Sequence, residues 1–176
     1  FDKVGVIGAG GGLGIHMLKM LKLNNISAIG IDTKTEKFNT CNENGAEFSV
    51  SPMENNLKNI IADYSKSHDL DVVIDFVSSK SSLELGSSIL GKGGRLVTLG
   101  GSGEQFLANS ADMLVKELEL IGSRYCTKQE LKESLALYAR GLIEPLVSVK
   151  TDFDGAEGLH DKIEKGEIIG RAGILI

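Results

Sequence analysis

The residues with the clearest chemical potential lie near the start of the chain. In the stretch GAGGGLG five of seven positions are glycine: Gly8, Gly10, Gly11, Gly12 and Gly14. Glycine admits positive φ and lets a ligand approach the main chain closely, and at a helix start the free N–H groups and the dipole favour an anion. An apolar strand ends in front of them at Ile7, and an amphipathic helix opens behind them near Gly12. That strand, turn and helix make a pyrophosphate site, although a glycine turn also serves to pack a helix on a sheet. The deciding residue is Asp32, 18 positions beyond Gly14 at the end of the second apolar run. A carboxylate there accepts both hydroxyls of an adenosine ribose, and it can also cap the helix that begins near Lys34. Together the two features predict a dinucleotide site, and the charge of Asp32 favours NAD over the 2′-phosphate of NADP. Lys37, on the following helix, either reaches a ribose hydroxyl or is a solvated surface lysine.

The elements that must position these groups follow from the apolar periodicity. Strand-like runs occur at KVGVI (3–7), SAIGI (27–31), DVVID (71–75), RLVTL (95–99) and LELIG (118–122). Between them the spacing becomes helical. Leu13, Met17, Met20 and Leu21 share one face, as do Leu57, Ile60, Ile61 and Tyr64, and later Leu131, Leu135, Tyr138 and Leu142. Strands alternating with helices predict a parallel sheet covered on both faces, a doubly wound α/β fold of the Rossmann type in a single domain. After Pro145 the rhythm breaks. LVSVKTDF reads as extended, DGAEGLHDKIEKG as a short helix and GRAGILI as a final strand.

Composition narrows the function classes. A chain of 176 residues suffices for one full domain, and 41% hydrophobic and 24% charged residues with mean hydropathy +0.02 are those of a globular protein. A net charge of −5 and a pI near 5.3 supply no basic surface for nucleic acid. No apolar run approaches the roughly 20 residues of a membrane span, and FDKVGVIG enters a strand without a signal peptide. The expectation is a cytoplasmic protein with neither nucleic acid nor membrane as partner. Cys41 and Cys126 have no CxxC spacing and no neighbouring histidine, so both read as reduced structural thiols.

GAGGGLG, GIDTKTEK after the second strand, NGAEFSV before the third, DVVIDFV, LGKGGRLVTLGG and the terminal EKGEIIGRAGILI stand in an order and spacing that cover nearly the whole chain. In these motifs the chain resembles the zinc-type medium-chain dehydrogenase/reductases, in particular archaeal NAD-dependent alcohol dehydrogenases. The resemblance implies an NAD-dependent oxidoreductase and a role for each matching position. The glycines from Gly8 to Gly14 would form the turn, with either Gly10 or Gly11 in its middle role, because the turn is one residue longer than the commonest form. Gly12 and Leu13 would offer N–H groups to the pyrophosphate, and Asp32 and Lys37 would hold the adenosine ribose. Val77 and the strand end Leu99, Gly100 and Gly101 would lie along the cofactor, the latter against the nicotinamide ribose. Ser123 and Tyr125 would serve near the carboxamide through their backbones. Arg171 would reach the pyrophosphate, or else is a surface arginine on an edge strand.

The departure from the family is as informative. Its catalytic zinc is held by a preceding domain, and His16, His68 and His160 stand apart from one another, so this chain offers neither a zinc site nor catalytic residues. The implied unit is residues 1–150 as an NAD-binding domain, with 151–176 a tail that returns to a catalytic domain. That absent domain would be its partner, and the chain alone would bind cofactor without turnover. Family members join sheet edges into oligomers, and LELIG is placed to do so. The alternative is a stand-alone NAD(H)-sensing module acting through a protein partner. Two other classes fail on the residues. The positions four beyond Tyr64, Tyr125 and Tyr138 are His68, Gln129 and Leu142, not the lysine of a short-chain dehydrogenase, and Val6 stands where a methyltransferase usually has an acidic residue.

Overall fold

A computed structural model describes residues 2–66 and 69–176, so His68 lies outside the described residues. The first half alternates regularly: β1 (Lys3–Ile7), α1 (Gly12–Leu23), β2 (Ser27–Ile31), a 3-10 turn (Thr35–Lys37) leading into α2 (Phe38–Glu43), and β3 (Ser49–Val50). There follow α3 (Leu57–Ser65), β4 (Leu70–Asp75), α4 (Lys80–Ser88), β5 (Leu90–Thr98), α5 (Ser110–Lys116), β6 (Glu119–Gly122) and α6 (Lys128–Ala139). The chain closes with β7 (Val147–Thr151), α7 (Ala156–Glu164) and β8 (Arg171–Ile174).

Six strands form one parallel sheet in the order β3-β2-β1-β4-β5-β6, while β7 and β8 pair in parallel as a separate ribbon. The order reverses between β1 and β4, which opens a crevice beyond their carboxyl ends. Alternation along the strands builds a core on each face. Val4 and Val6 of β1 pack with Ile15, Leu18 and Leu21 of α1, and Ile7 packs with Ile29, Val73 and the α3 and α4 residues Leu57, Ile61 and Leu83. The sheet is therefore doubly wound, as expected. β7 straddles residue 150, the expected end of the first unit, and no helix among the described residues is long and apolar enough to cross a membrane.

Three expectations about packing need correction. In α1 the buried face is Gly14, Ile15, Leu18 and Leu21, and Leu13 is 49% exposed. The helix carries apolar residues around most of its girth, so periodicity alone cannot set its rotation. The close approach of Gly14 to the backbone of Gly8 and Ala9 sets it. In α6, Leu131, Leu135 and Tyr138 are half exposed, as is Leu142 after it, and no α6 residue is buried. The periodicity there is real, but no described element covers the stripe. Cys41 is buried in the α1 face of the core, whereas Cys126 is exposed and is not a structural thiol.

Candidate functional site

The crevice is built around the glycine turn. Gly8 ends β1 with φ +75°, a conformation that demands glycine. Its N–H and that of Ala9 both donate to Ile31 O, which ties the turn to β2. Gly11 is the N-cap of α1 and has no side-chain cap; its parallel bridge to Gly170 engages the Gly12 N–H, and the N–H groups of Leu13 and Gly14 find no acceptor among the described residues. Two donors are thus left free at a helix N-terminus, as an anion site requires. The turn assigns its glycines different tasks. A side chain on Gly14 would strike Ala9 O at 2.6 Å, so that position serves helix–strand packing. Gly10 is buried and lies beneath Lys37, so it does not face the cleft.

Asp32 lies just beyond β2, 9% exposed. Its Oδ2 accepts from Gly10 N–H at 2.8 Å and its Oδ1 from Lys34 N–H at 3.0 Å. The carboxylate organises the turn that leads to Lys34 but is not the expected helix cap, since Lys34 itself is the N-cap of the 3-10 turn and no side chain caps it; Asp32 also lines the cleft. Lys37 is not the solvated surface lysine that was one expectation. It is 5% exposed, and its Nζ donates to Ile168 O at 2.9 Å. Arg171 reaches the glycine turn from β8, and its guanidinium lies where a Cβ on Gly12 would be, 2.5 Å from Nε and 2.7 Å from Cζ. Among the described residues it forms no ion pair. A guanidinium beside the positive end of a helix is repelled by it, and an anion between them removes the repulsion.

Two adjoining compartments result. One, of about 310 Å³, is lined by Gly8, Gly11, Gly12, Leu13, Gly14, Asp32, Lys37, Phe76, Val77 and Arg171. The other, of about 410 Å³, shares Gly8, Asp32 and Val77 and is walled by Ile7, Ile31, Pro52, Met53 and Leu85, with Thr33 and the hydroxyls of Ser79, Ser81 and Ser82. The first suits phosphate groups and the second a flat apolar ring, with one carboxylate at their junction. Pro52, Met53 and Leu85 were not read from the sequence, because they follow β3 or sit in α4, elements too short or too polar to be recognised there.

Beyond β4, Phe76 and Val77 line these compartments, whereas the carboxyl ends of β5 and β6 line neither. Asp75 is fully buried, where its Oδ1 accepts from the N–H groups of Val77 and Ser78 at 2.8 and 3.0 Å and its Oδ2 from Ser82 Oγ at 2.7 Å. Ser78 in turn accepts from Gly100 N–H at 2.9 Å and bonds Thr98 Oγ1. This network fixes the loop that carries Val77 and the loop of Leu99, Gly100 and Gly101, and only the position of Asp75 at a strand end could have signalled it. Ser123 donates through its N–H to Thr98 O at 2.9 Å. Tyr125 is 87% exposed, with φ +56° and Arg124 stacked on its ring. Behind the turn, His16 places Nδ1 2.5 Å from Gly12 O and accepts from Leu146 N–H through Nε2 at 3.3 Å. Both ring nitrogens serve the fold, while His160 is exposed on α7. Among the described residues no three of histidine, cysteine, aspartate and glutamate are grouped as metal ligands.

Residues 12–140 match the family described as zinc-binding dehydrogenase. An NAD-dependent alcohol dehydrogenase of Sulfurisphaera tokodaii is 25% identical over 94% of this chain and 48% of its own length. An acryloyl-coenzyme A reductase of Metallosphaera sedula is 28% identical over 96% of this chain and 50% of its own. The crystal structure of the alcohol dehydrogenase of Aeropyrum pernix superimposes with a TM-score of 0.89 at 27% identity, covering 97% of this chain and 49% of that one. The chain spans about half the length of the curated relatives it matches.

Proposed function

The chain belongs to the zinc-binding dehydrogenase family, and on that premise we propose that it is the NAD-binding part of an oxidoreductase of the alcohol dehydrogenase kind. The observation that carries this reading is the pairing of the free Leu13 and Gly14 N–H groups at the start of α1 with the uncompensated guanidinium of Arg171 across from them. That pairing fits a pyrophosphate, the adjoining apolar slot fits an adenine, and the acceptor Asp32 between them fits a ribose. In this assignment Gly11, Gly12, Leu13 and Arg171 take the phosphates, Asp32 the ribose and Val77 the wall between the compartments. Leu99, Gly100, Gly101, Ser123 and Tyr125, at the ends of β5 and β6, line the nicotinamide side.

Bound NAD supplies a hydride-accepting carbon. This chain's residues bind and orient the cofactor, and no proton transfer falls to them. Among the described residues no group of side chains fits a zinc ion. Residues 1–150 hold the glycine turn, Asp32 and the apolar slot, and 151–176 return to that turn and add Arg171 to it. A second copy of the chain joins along the open edge of β6.

Calorimetric titration of the chain with NADH and NADPH tests the reading. NADH is expected to bind preferentially, and Asp32→Ala to weaken NADH by about tenfold or more while affecting NADPH less, since it removes both an acceptor and a like charge. Failure to bind either cofactor overturns the proposal.

A further inference from the structure

Lys37 is an unusual lysine. The residue is 5% exposed, and its ammonium gives a hydrogen bond to Ile168 O across 131 positions of sequence. An ammonium is costly to bury unless its donors are used, so this contact has a structural purpose beyond covering the surface. The stem lies on Gly10, where a Cβ would come within 2.5 Å of Lys37 Cδ and 2.7 Å of its Cβ. Gly10 is therefore bare to admit a lysine rather than a ligand.

The carbonyl that Lys37 holds belongs to a strap, residues 166–170, which runs from α7 into β8. Ile168 is 8% exposed, and Gly170, at φ +69°, donates its N–H to Gly10 O at 3.1 Å. The next residue is Arg171, whose N–H donates to Leu146 O at 2.8 Å and whose side chain lies over Gly12. A continuous run of contacts thus leads from the Lys37 ammonium through the strap to the guanidinium at the phosphate compartment.

We propose that Lys37 is a positioning residue, which holds the 166–170 strap on the glycine turn and thereby sets Arg171 for the diphosphate. The proposal rests on the reading of that compartment as a diphosphate site. It places the specificity for a diphosphate partly in a residue that acts through the strap and Arg171.

The full chain is titrated with ADP and with 2′,3′-dideoxy-ADP, as wild type, Lys37→Met, Arg171→Gln and the double variant. Methionine keeps an unbranched stem over Gly10 and removes only the ammonium, and melting curves identify any variant that fails to fold. Lys37→Met is expected to lose about tenfold in affinity for both ligands alike, and to add little once Arg171 is glutamine. Amide exchange of Gly170 and Arg171 is expected to quicken in Lys37→Met without ligand. A loss that disappears with the dideoxy ligand and persists in the Arg171→Gln background assigns Lys37 to the ribose and overturns the proposal. Unchanged exchange at Gly170 and Arg171 overturns it as well. If wild type binds neither ADP nor NADH while exchange still quickens in the variant, the diphosphate reading fails and the strut between Lys37 and the strap stands.

Discussion

At the scale of single residues, the glycine turn separates tasks that its sequence presents as uniform. Gly8 is there for its backbone conformation, Gly10 for the stem of Lys37, Gly12 for the guanidinium of Arg171 and Gly14 for contact between helix and strand. Their substitutions should therefore differ. Gly14→Ala drives a methyl into the carbonyls of Gly8 and Ala9, a backbone contact that cannot rotate away, and is expected to destabilise the chain by about 2–3 kcal/mol. Gly11→Ala meets only Gly8 O, at 3.3 Å, and is expected to cost less than about 1 kcal/mol. Urea midpoints measure both, and equal losses would show that the turn has room where the geometry denies it. The site was legible in part. Asp32 and the glycines were identified by type and spacing, and Arg171 only through family resemblance. The burial of Lys37 was hidden, because its partner Ile168 is 131 positions away and nothing local announces it.

At the scale of elements, legibility follows burial. β1, β2, β4 and the end of β5 carry β-branched runs that only a sheet interior explains, and all were readable. β3 has two residues and α2 six, too few for a period to establish itself. α4 is rich in serine and is recognisable only by its capping box, in which Ser79 and Ser82 satisfy each other's N–H groups. β6 was readable as a strand but not as an exposed one. It pairs with β5 alone, helped by Arg95 and Glu119 at 2.6 Å, and leaves Leu120 and Ile121 about 40% exposed on an open edge. An unprotected parallel edge with apolar side chains invites a further strand. Sedimentation velocity is expected to find a dimer at micromolar concentration that Ile121→Lys converts to monomer. A wild-type monomer under those conditions removes the pairing of copies from the proposal.

At the scale of the whole molecule, a buried thiol and a half-buried phenol set a limit on alkaline stability. Burial, then the charge of Asp32, pushes the Cys41 thiol up to about 11, and burial, then Glu47, pushes the Tyr64 hydroxyl up to about 12. Both are raised above their values in the unfolded chain, near 9 and 10, so folding favours their protonated forms. The stability they contribute is complete below pH 9 and is lost as the pH rises toward 11 and 12. Urea midpoints are therefore expected to fall above pH 9, and Cys41→Ala to flatten the first part of that fall; a variant curve parallel to wild type would remove Cys41 as a cause. The docking of the strap on the glycine turn also bears on the order of folding. The sheet from β1 to β4 can assemble from neighbouring segments, but the contact between Lys37 and Ile168 closes one of the longest loops in the chain and must pay its entropy. During synthesis the glycine turn emerges well before Arg171, so the nascent chain carries one half of its anion site without the other until β8 arrives.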